Sequence, residues 1–330
     1  MQENQWRSTG SPLDRFFSID MHTHPGPFYG SGDVEAKLKA FQSSKLTAIV
    51  YSVIADLAVL ELAGPPRVAR EPLPGELYAS TILQLNKARE HLDRLGIRVA
   101  LAPADLALAR ERGEKACLLA VEGADFADED LGRVSDIYQL GARILQPIHY
   151  RVNAFGDSQT SPPVHQGLSE KGRDLIREAN RLGMLIDAAH MALPAYKAAA
   201  EVSQAPVLWS HTMVVETDSR RLIGEEYAKL IAANGGVIGM WSTPYPSGVG
   251  FDEFVAWIAK TIRLVGPDHV GLGTDIDSTP GPFQGYDQLP ALIEGLGAAG
   301  VSDDALEKFL GGSFLRVFQR AVEGAGTIHG

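Results

Sequence analysis

Residues 16–26 read FFSIDMHTHPG, an apolar run that leads straight into His22 and His24 and stops at Pro25 and Gly26. In an extended chain alternate side chains point the same way, so a strand here aims both imidazoles at one point at its end. A pair of histidines alone is only a hint of a site. Its meaning depends on what the other strands deliver to the same place.

Working outward, PFYGSG at 27–32 is a loop by its Pro and Gly content, and 33–45 has helical spacing. LTAIVYSVI at 46–54 is rich in β-branched residues and bounded by polar sequence, as a buried strand is. Together they make one βαβ unit. The segment 61–75 carries four prolines and reads as a long loop. A helix at 77–95, an accessory strand at 98–102 and a short helix at 105–112 follow.

From Cys117 the rhythm is regular. CLLAVEG is a strand ending at Glu122, LGRVSDIYQLG a helix, and ARILQPIHY a strand ending at His149. After an aperiodic loop at 151–166 come helix 168–182 and MLIDAAH, a strand ending at His190. Helix 194–203, strand PVLWSH ending at His211, helix 225–234, strand GGVIGMWS, helix 251–265 and strand HVGLGTDID, ending near Asp275, continue the alternation. Helices at 288–296 and 303–322 close it. With the accessory strand set aside, eight short strands alternate with helices, the pattern of a parallel sheet. The expected fold is a single-domain α/β (β/α)8 TIM-type barrel over 1–330, with an open doubly wound sheet as the competing architecture.

The chain is 45% hydrophobic and 22% charged, the make-up of an ordinary globular protein. Its net charge of -11 argues against nucleic-acid and anionic-membrane partners, and no block of Lys and Arg offsets it. The single cysteine, Cys117, has no internal disulfide partner and reads as a buried small hydrophobe within ACLLAVEG. The leading residues are too polar for a secretory signal, and no apolar run reaches the roughly 20 residues that span a bilayer. A cytoplasmic location is the expectation.

His22, His24, Glu122, His149, His190, His211 and Asp275 all fall where an apolar strand run ends. In a barrel those ends meet on one face, where barrel enzymes keep their sites. Taken singly, each histidine reads equally well as a hydrogen-bonded core or rim group; as a set they read as a metal centre. Imidazole and carboxylate ligands suit zinc or another borderline divalent ion. Five ligands exceed what one tetrahedral zinc with an open position takes, which favours two ions sharing a carboxylate, with Glu122 the natural bridge.

Other signals are more ambiguous. Asp275 and Asp277 can also cap a following turn, and either Arg220 or Arg221 can fork an anionic group or flank a helix in an ion pair. The glycines of GGVIG and GLG lack the strand–turn–helix context of a dinucleotide site and read as tight packing. Trp209 and Trp241 serve as packing or pocket wall, which the sequence does not separate.

The segments IDMHTH, LLAVEGAD, ILQPIHYRVNAFGD, QGLSEKG, NRLGMLIDAAHM, APVLWSHT, DSRRL, HVGLGTDID and LRVF, in this order over almost the whole chain, resemble the renal-type, or membrane, dipeptidases, the M19-type metallopeptidases of the amidohydrolase-like group. The resemblance implies a (β/α)8 barrel, a two-zinc centre and hydrolysis of dipeptides. It implies His22 and His24 on the first zinc, Glu122 bridging, and His190 with His211 on the second. It further implies His149 on the scissile carbonyl oxygen, Arg221 on the substrate carboxylate, Asp275 handling the proton, and a homodimer. The chain departs from the family pattern at His24, where a carboxylate is usual, and at Ser313, where the usual residue is Asn. The first change leaves that metal site one negative charge poorer.

The function expected on these grounds is zinc-dependent hydrolysis of a small dipeptide by a hydroxide held between the ions. Two alternatives stay open: an amidohydrolase acting on another small amide, lactam or lactone, and a catalytically degenerate barrel kept as a binding or structural protein.

Overall fold

The computed structural model describes residues 10–26, 33–243, 248–276 and 281–325. The loop at 27–32 and Asp277 lie outside the described residues. Eight parallel strands organise the rest: β1 (Ile19–Thr23), β2 (Ala48–Ile54), β3 (Ala116–Glu122), β4 (Ala142–Gln146), β5 (Leu185–Ile186), β6 (Leu208–Thr212), β7 (Val237–Met240) and β8 (Val270–Leu272). β1 to β5 pair in sequence order in one sheet, and β6, β7 and β8 in a second. Single parallel bridges join the two sheets, Asp187 with Leu208 on one side and Thr23 with Ile276 on the other. The result is an α/β fold with a curled parallel sheet.

The strand sequences explain this arrangement. AIVYSVI and ACLLAVE are buried along their whole length, as parallel strands covered on both faces are. They pair from Ala48 opposite Ala116 to Ile54 opposite Glu122. Cys117, Leu119 and Val121 pack in one cluster with Leu85 and Leu92 of the helix Glu76–Arg94. The alternate residues Ala116, Leu118 and Ala120 join Ile19, Met21 and Phe314 in another. By strand parity Glu122 ends this second face, on an otherwise apolar row. β1 is irregular between Asp20 and Thr23, and such a bulge re-aims the side chains beyond it.

Several strands are shorter than their apolar runs suggest. β4 stops at Gln146, β5 at Ile186 and β8 at Leu272, so His149, His190 and Asp275 stand on the loops beyond them. His190 (φ 69°) and Asp275 (φ 51°) have left-handed backbones, which cannot continue a strand. The accessory strand shrinks to Arg98–Val99, paired with the start of β3. The loop at 61–75 starts within a two-residue hairpin, Leu60–Glu61 with Arg67–Val68. The expected helix at 303–322 is broken by the wide turn Lys308–Gly312. A Cβ on Gly311 would meet the Phe17 ring at 2.5 Å, so the break lets the lead into β1 pass close.

Cys117 is fully buried, and burial pushes its thiol up to about 12, leaving it inert as expected. Among the described residues no helix is long and apolar enough to cross a membrane.

Candidate metal centre

The residues expected to act together do converge, and all are buried. His22 Nε2 and His24 Nε2 lie 3.1 Å apart at the end of β1. Glu122 stands between two groups of rings. Its Oε2 is 3.2 Å from His24 Nε2 and 3.7 Å from His22 Nε2. Its Oε1 is 3.1 Å from His190 Nε2, 3.6 Å from His149 Nε2 and 3.8 Å from His211 Nε2. His22, His24 and Glu122 form one compact donor set, and Glu122, His149 and His190 another, with donor atoms in each within 4.8 Å of one another. His211 Nε2 lies 3.2 Å from His190 Nε2, at the edge of the second. Asp275 Oδ1 approaches His24 Nε2 at 3.4 Å.

The far sides of the His22, His24, His149 and His211 rings are anchored, whereas His190 Nδ1 has no hydrogen-bond partner among the described residues. His24 donates Nδ1–H to the Ser52 carbonyl at 3.2 Å, which leaves its Nε2 lone pair pointing inward. Ser210 Oγ lies 2.8 Å from His211 Nδ1 and 3.2 Å from His22 Nδ1, so one hydroxyl serves both clusters. His149 Nδ1–H donates to Asp56 Oδ1 at 2.7 Å. Partners of this kind orient metal-binding imidazoles and fix their tautomers.

The electrostatics are those of a buried mixed cluster. Burial pulls His190 and His211 well below the usual histidine range, with Arg221's charge adding to it. Burial opposes charge on His22 too, but Glu122 and Asp275 carry it up to about 9. Burial likewise opposes ionisation of Glu122, yet the charges of His149 and His22 hold it well below the usual carboxylate range. His190 and His211 are thus neutral beside an ionised Glu122, the donor states that divalent ions bind, whereas His22 has to give up its proton to a bound ion. Glu122 Oε2 is buried and accepts no hydrogen bond among the described residues, so the donor set fits a divalent metal.

Arg221 turns inward, whereas Arg220 is exposed. The Arg221 guanidinium donates to His211 Nε2 at 3.0 Å and to Gln159 Oε1 at 3.1 Å, and its Cζ lies 5.3 Å from the Trp241 ring centre. Trp241 therefore stands beside the histidine cluster, edge-on to His211. Trp209 is packing, edge-on to Tyr196 and Tyr227.

Sequence reasoning missed Asp20, Asp56 and Asp187, all buried. Asp20 accepts from the Thr274 N–H and hydroxyl, from Tyr286 and from the His22 N–H, fastening β1 to the loop of Asp275. Burial pushes it up to about 6 against those bonds. Asp187 accepts from the Ala189 and Ser210 N–H groups and so ties the His190 loop to β6. An acidic residue within or just past a predicted apolar strand was the available signal.

These features define an α/β protein with a buried histidine–carboxylate cluster at the carboxyl ends of its parallel strands, built for divalent metal. The profile of the membrane dipeptidase family (Peptidase family M19) matches residues 76–328, and the chain belongs to that family. His22 and His24 precede the matched segment. Dipeptidase tcpJ of Claviceps purpurea is 29% identical over 228 residues, 66% of this chain and 54% of that protein. Dipeptidase verJ of Clonostachys rogersoniana is 28% identical over 258 residues, 75% of this chain and 66% of that protein. The chain thus spans less than two thirds of the length of these curated relatives. The crystal structure of the probable dipeptidase PvdM from Pseudomonas aeruginosa shares the fold, with a TM-score of 0.81 at 19% identity over 95% of this chain and 97% of that one.

Proposed function

We propose that the protein is a metal-dependent dipeptidase whose two ions, zinc by ligand type, are held by His22, His24 and Glu122 on one side and by Glu122, His190 and His211 on the other. We further propose that the two sheets act as one closed (β/α)8 barrel and a single domain. The observation that carries the reading is Glu122, one carboxylate with an oxygen toward each histidine group. When bound, the ions supply a water of lowered pKa and polarise the scissile carbonyl.

The chain's own groups do the rest. Arg221, backed by Gln159, binds the substrate's terminal carboxylate as a fork of donors. His149 Nε2 donates to the carbonyl oxygen as negative charge develops there. Asp275 takes the proton released by the attacking water and returns it to the leaving amine. Its strained backbone, φ 51°, holds the carboxylate over His24 and His22.

The test is divalent-metal content together with hydrolysis of a panel of L,L- and L,D-dipeptides, with Asp275→Asn as control. Metal-replete protein inert across the panel overturns the dipeptidase reading. The imidazole at His24 favours a second reading, an amidohydrolase of small amides, lactams or lactones, which metal-dependent cleavage of such a compound would select. Protein that takes up no divalent ion with zinc added would support the degenerate barrel instead.

A further inference from the structure

We propose that Asp56 is the positioning residue that aims His149 at the substrate carbonyl. The inference rests on the role proposed above for His149. Asp56 lies just past β2, entirely buried, and a carboxylate there is costly to desolvate unless its oxygens are used. Both are. Oδ1 accepts the Nδ1–H of His149 at 2.7 Å, while Oδ2 accepts the N–H groups of Tyr150 at 3.2 Å and Arg151 at 3.0 Å. One side chain on the second strand thus sets the ring and the following backbone of three consecutive residues past the fourth.

The consequences for the site are specific. With Nδ1 committed, His149 has only Nε2 to offer inward, where it lies 3.6 Å from Glu122 Oε1. Tyr150, its N–H fixed by the same carboxylate, lays its ring against His149 at 4.4 Å and His190 at 5.3 Å between centroids. Arg151 carries the network on to Asp128 at 2.6 Å and Asp125 at 3.2 Å. An amide in place of the carboxylate has one oxygen and cannot accept from both directions. β4 ends at Gln146, so no sheet ladder holds His149, and Asp56 does so in its stead.

The experiment measures dipeptide kinetics and metal content of Asp56→Asn in the wild-type and His149→Ala backgrounds. Loss of a carboxylate behind a functional histidine costs about 10–100-fold, and that loss is expected in kcat, with unchanged metal content. KM is expected to stay within about threefold, and the effect to vanish once His149 is Ala. An equal fall in both backgrounds, or a fall that tracks metal loss, overturns the proposal. Imidazole proton NMR of 15N-histidine-labelled wild-type protein reads the bond without activity and without the variant folding. A downfield, exchange-protected Nδ1–H assigned to His149 is expected, and its absence overturns the proposal. If the protein is inert on dipeptides while that proton is present, the dipeptidase reading fails and the Asp56–His149 linkage stands.

Discussion

His24 Nε2 and Glu122 Oε2 face each other across 3.2 Å, while the opposite nitrogen of that ring is committed to the Ser52 carbonyl. A lone pair turned toward a carboxylate oxygen at this distance is favourable only with a cation or a proton between them. The imidazole at position 24, where the resemblance implies a carboxylate, thus turns its lone pair toward Glu122. His24→Ala is expected to lower bound metal from about two ions per chain to about one, whereas His149→Ala leaves the count unchanged. Elemental analysis of dialysed protein checks both, and an unchanged count in His24→Ala shows position 24 to be idle.

Among the described residues, Glu122 is the one carboxylate shared by both histidine groups. Removing a group behind a metal ligand costs about 10–100-fold in affinity, so Glu122→Gln is expected to lose more than that. Competition against a metal-binding dye gives the number. Affinity within tenfold of the wild type would show that Glu122 is no bridge.

Arg221 donates to Gln159 and His211 and rests near the Trp241 ring. Loss of a charge-assisted pair of hydrogen bonds to a substrate carboxylate raises KM by about 10–100-fold, with a smaller change in kcat. Arg221→Met measured on a dipeptide and on its C-terminal amide separates the cases. The variant should lose its preference for the free carboxylate, and an unaltered preference removes Arg221 from substrate binding.

Gly239 and Gly273 both crowd one carbonyl: a Cβ on either would come within 1.7 or 1.8 Å of Ser210 O. The Ser210 hydroxyl in turn anchors His22 and His211. Gly239→Ala is expected to destabilise the fold by at least about 1–3 kcal/mol and to lower metal retention. Thermal melts with and without added zinc test it, and a variant as stable as the wild type would mean that the strands part freely here.

Asp125 is fully buried, and burial with the nearby charges of Asp56 and Asp128 pushes it from 3.8 up to about 7 despite Arg151. Its folded form keeps the proton over a range where the unfolded chain has lost it. Its contribution to stability is therefore fully present below pH 3.8 and is lost as pH rises through about 7. Denaturant melts of wild type and Asp125→Asn from pH 4 to 8 should show the wild type losing stability relative to the variant across that window. A pH-independent difference would show that Asp125 does not titrate there.

Much of this architecture was legible in residue pattern alone. Burial on both faces makes a parallel strand largely apolar, so the runs LTAIVYSVI, CLLAVEG and PVLWSH announced β2, β3 and β6, and polar groups ending such runs pointed to the site. Helix periodicity was equally plain, and the segment 251–265 forms the helix Phe251–Val265. Where β4, β5 and β8 would end was not legible, because apolar residues continue past the last ladder bond and backbone reversals at His190 and Asp275 depend on what surrounds them.

Residue type and spacing thus determined the strands, the helices and the candidate ligands. Tertiary structure alone decided which Glu122 oxygen faces which ring and that Asp20, Asp56 and Asp187 brace the cluster. The division has a physical cause. Hydrophobic burial is local in pattern and is written along the chain, whereas a buried carboxylate is tolerable only beside donors from distant segments, and which donors those are is settled when the strands come together.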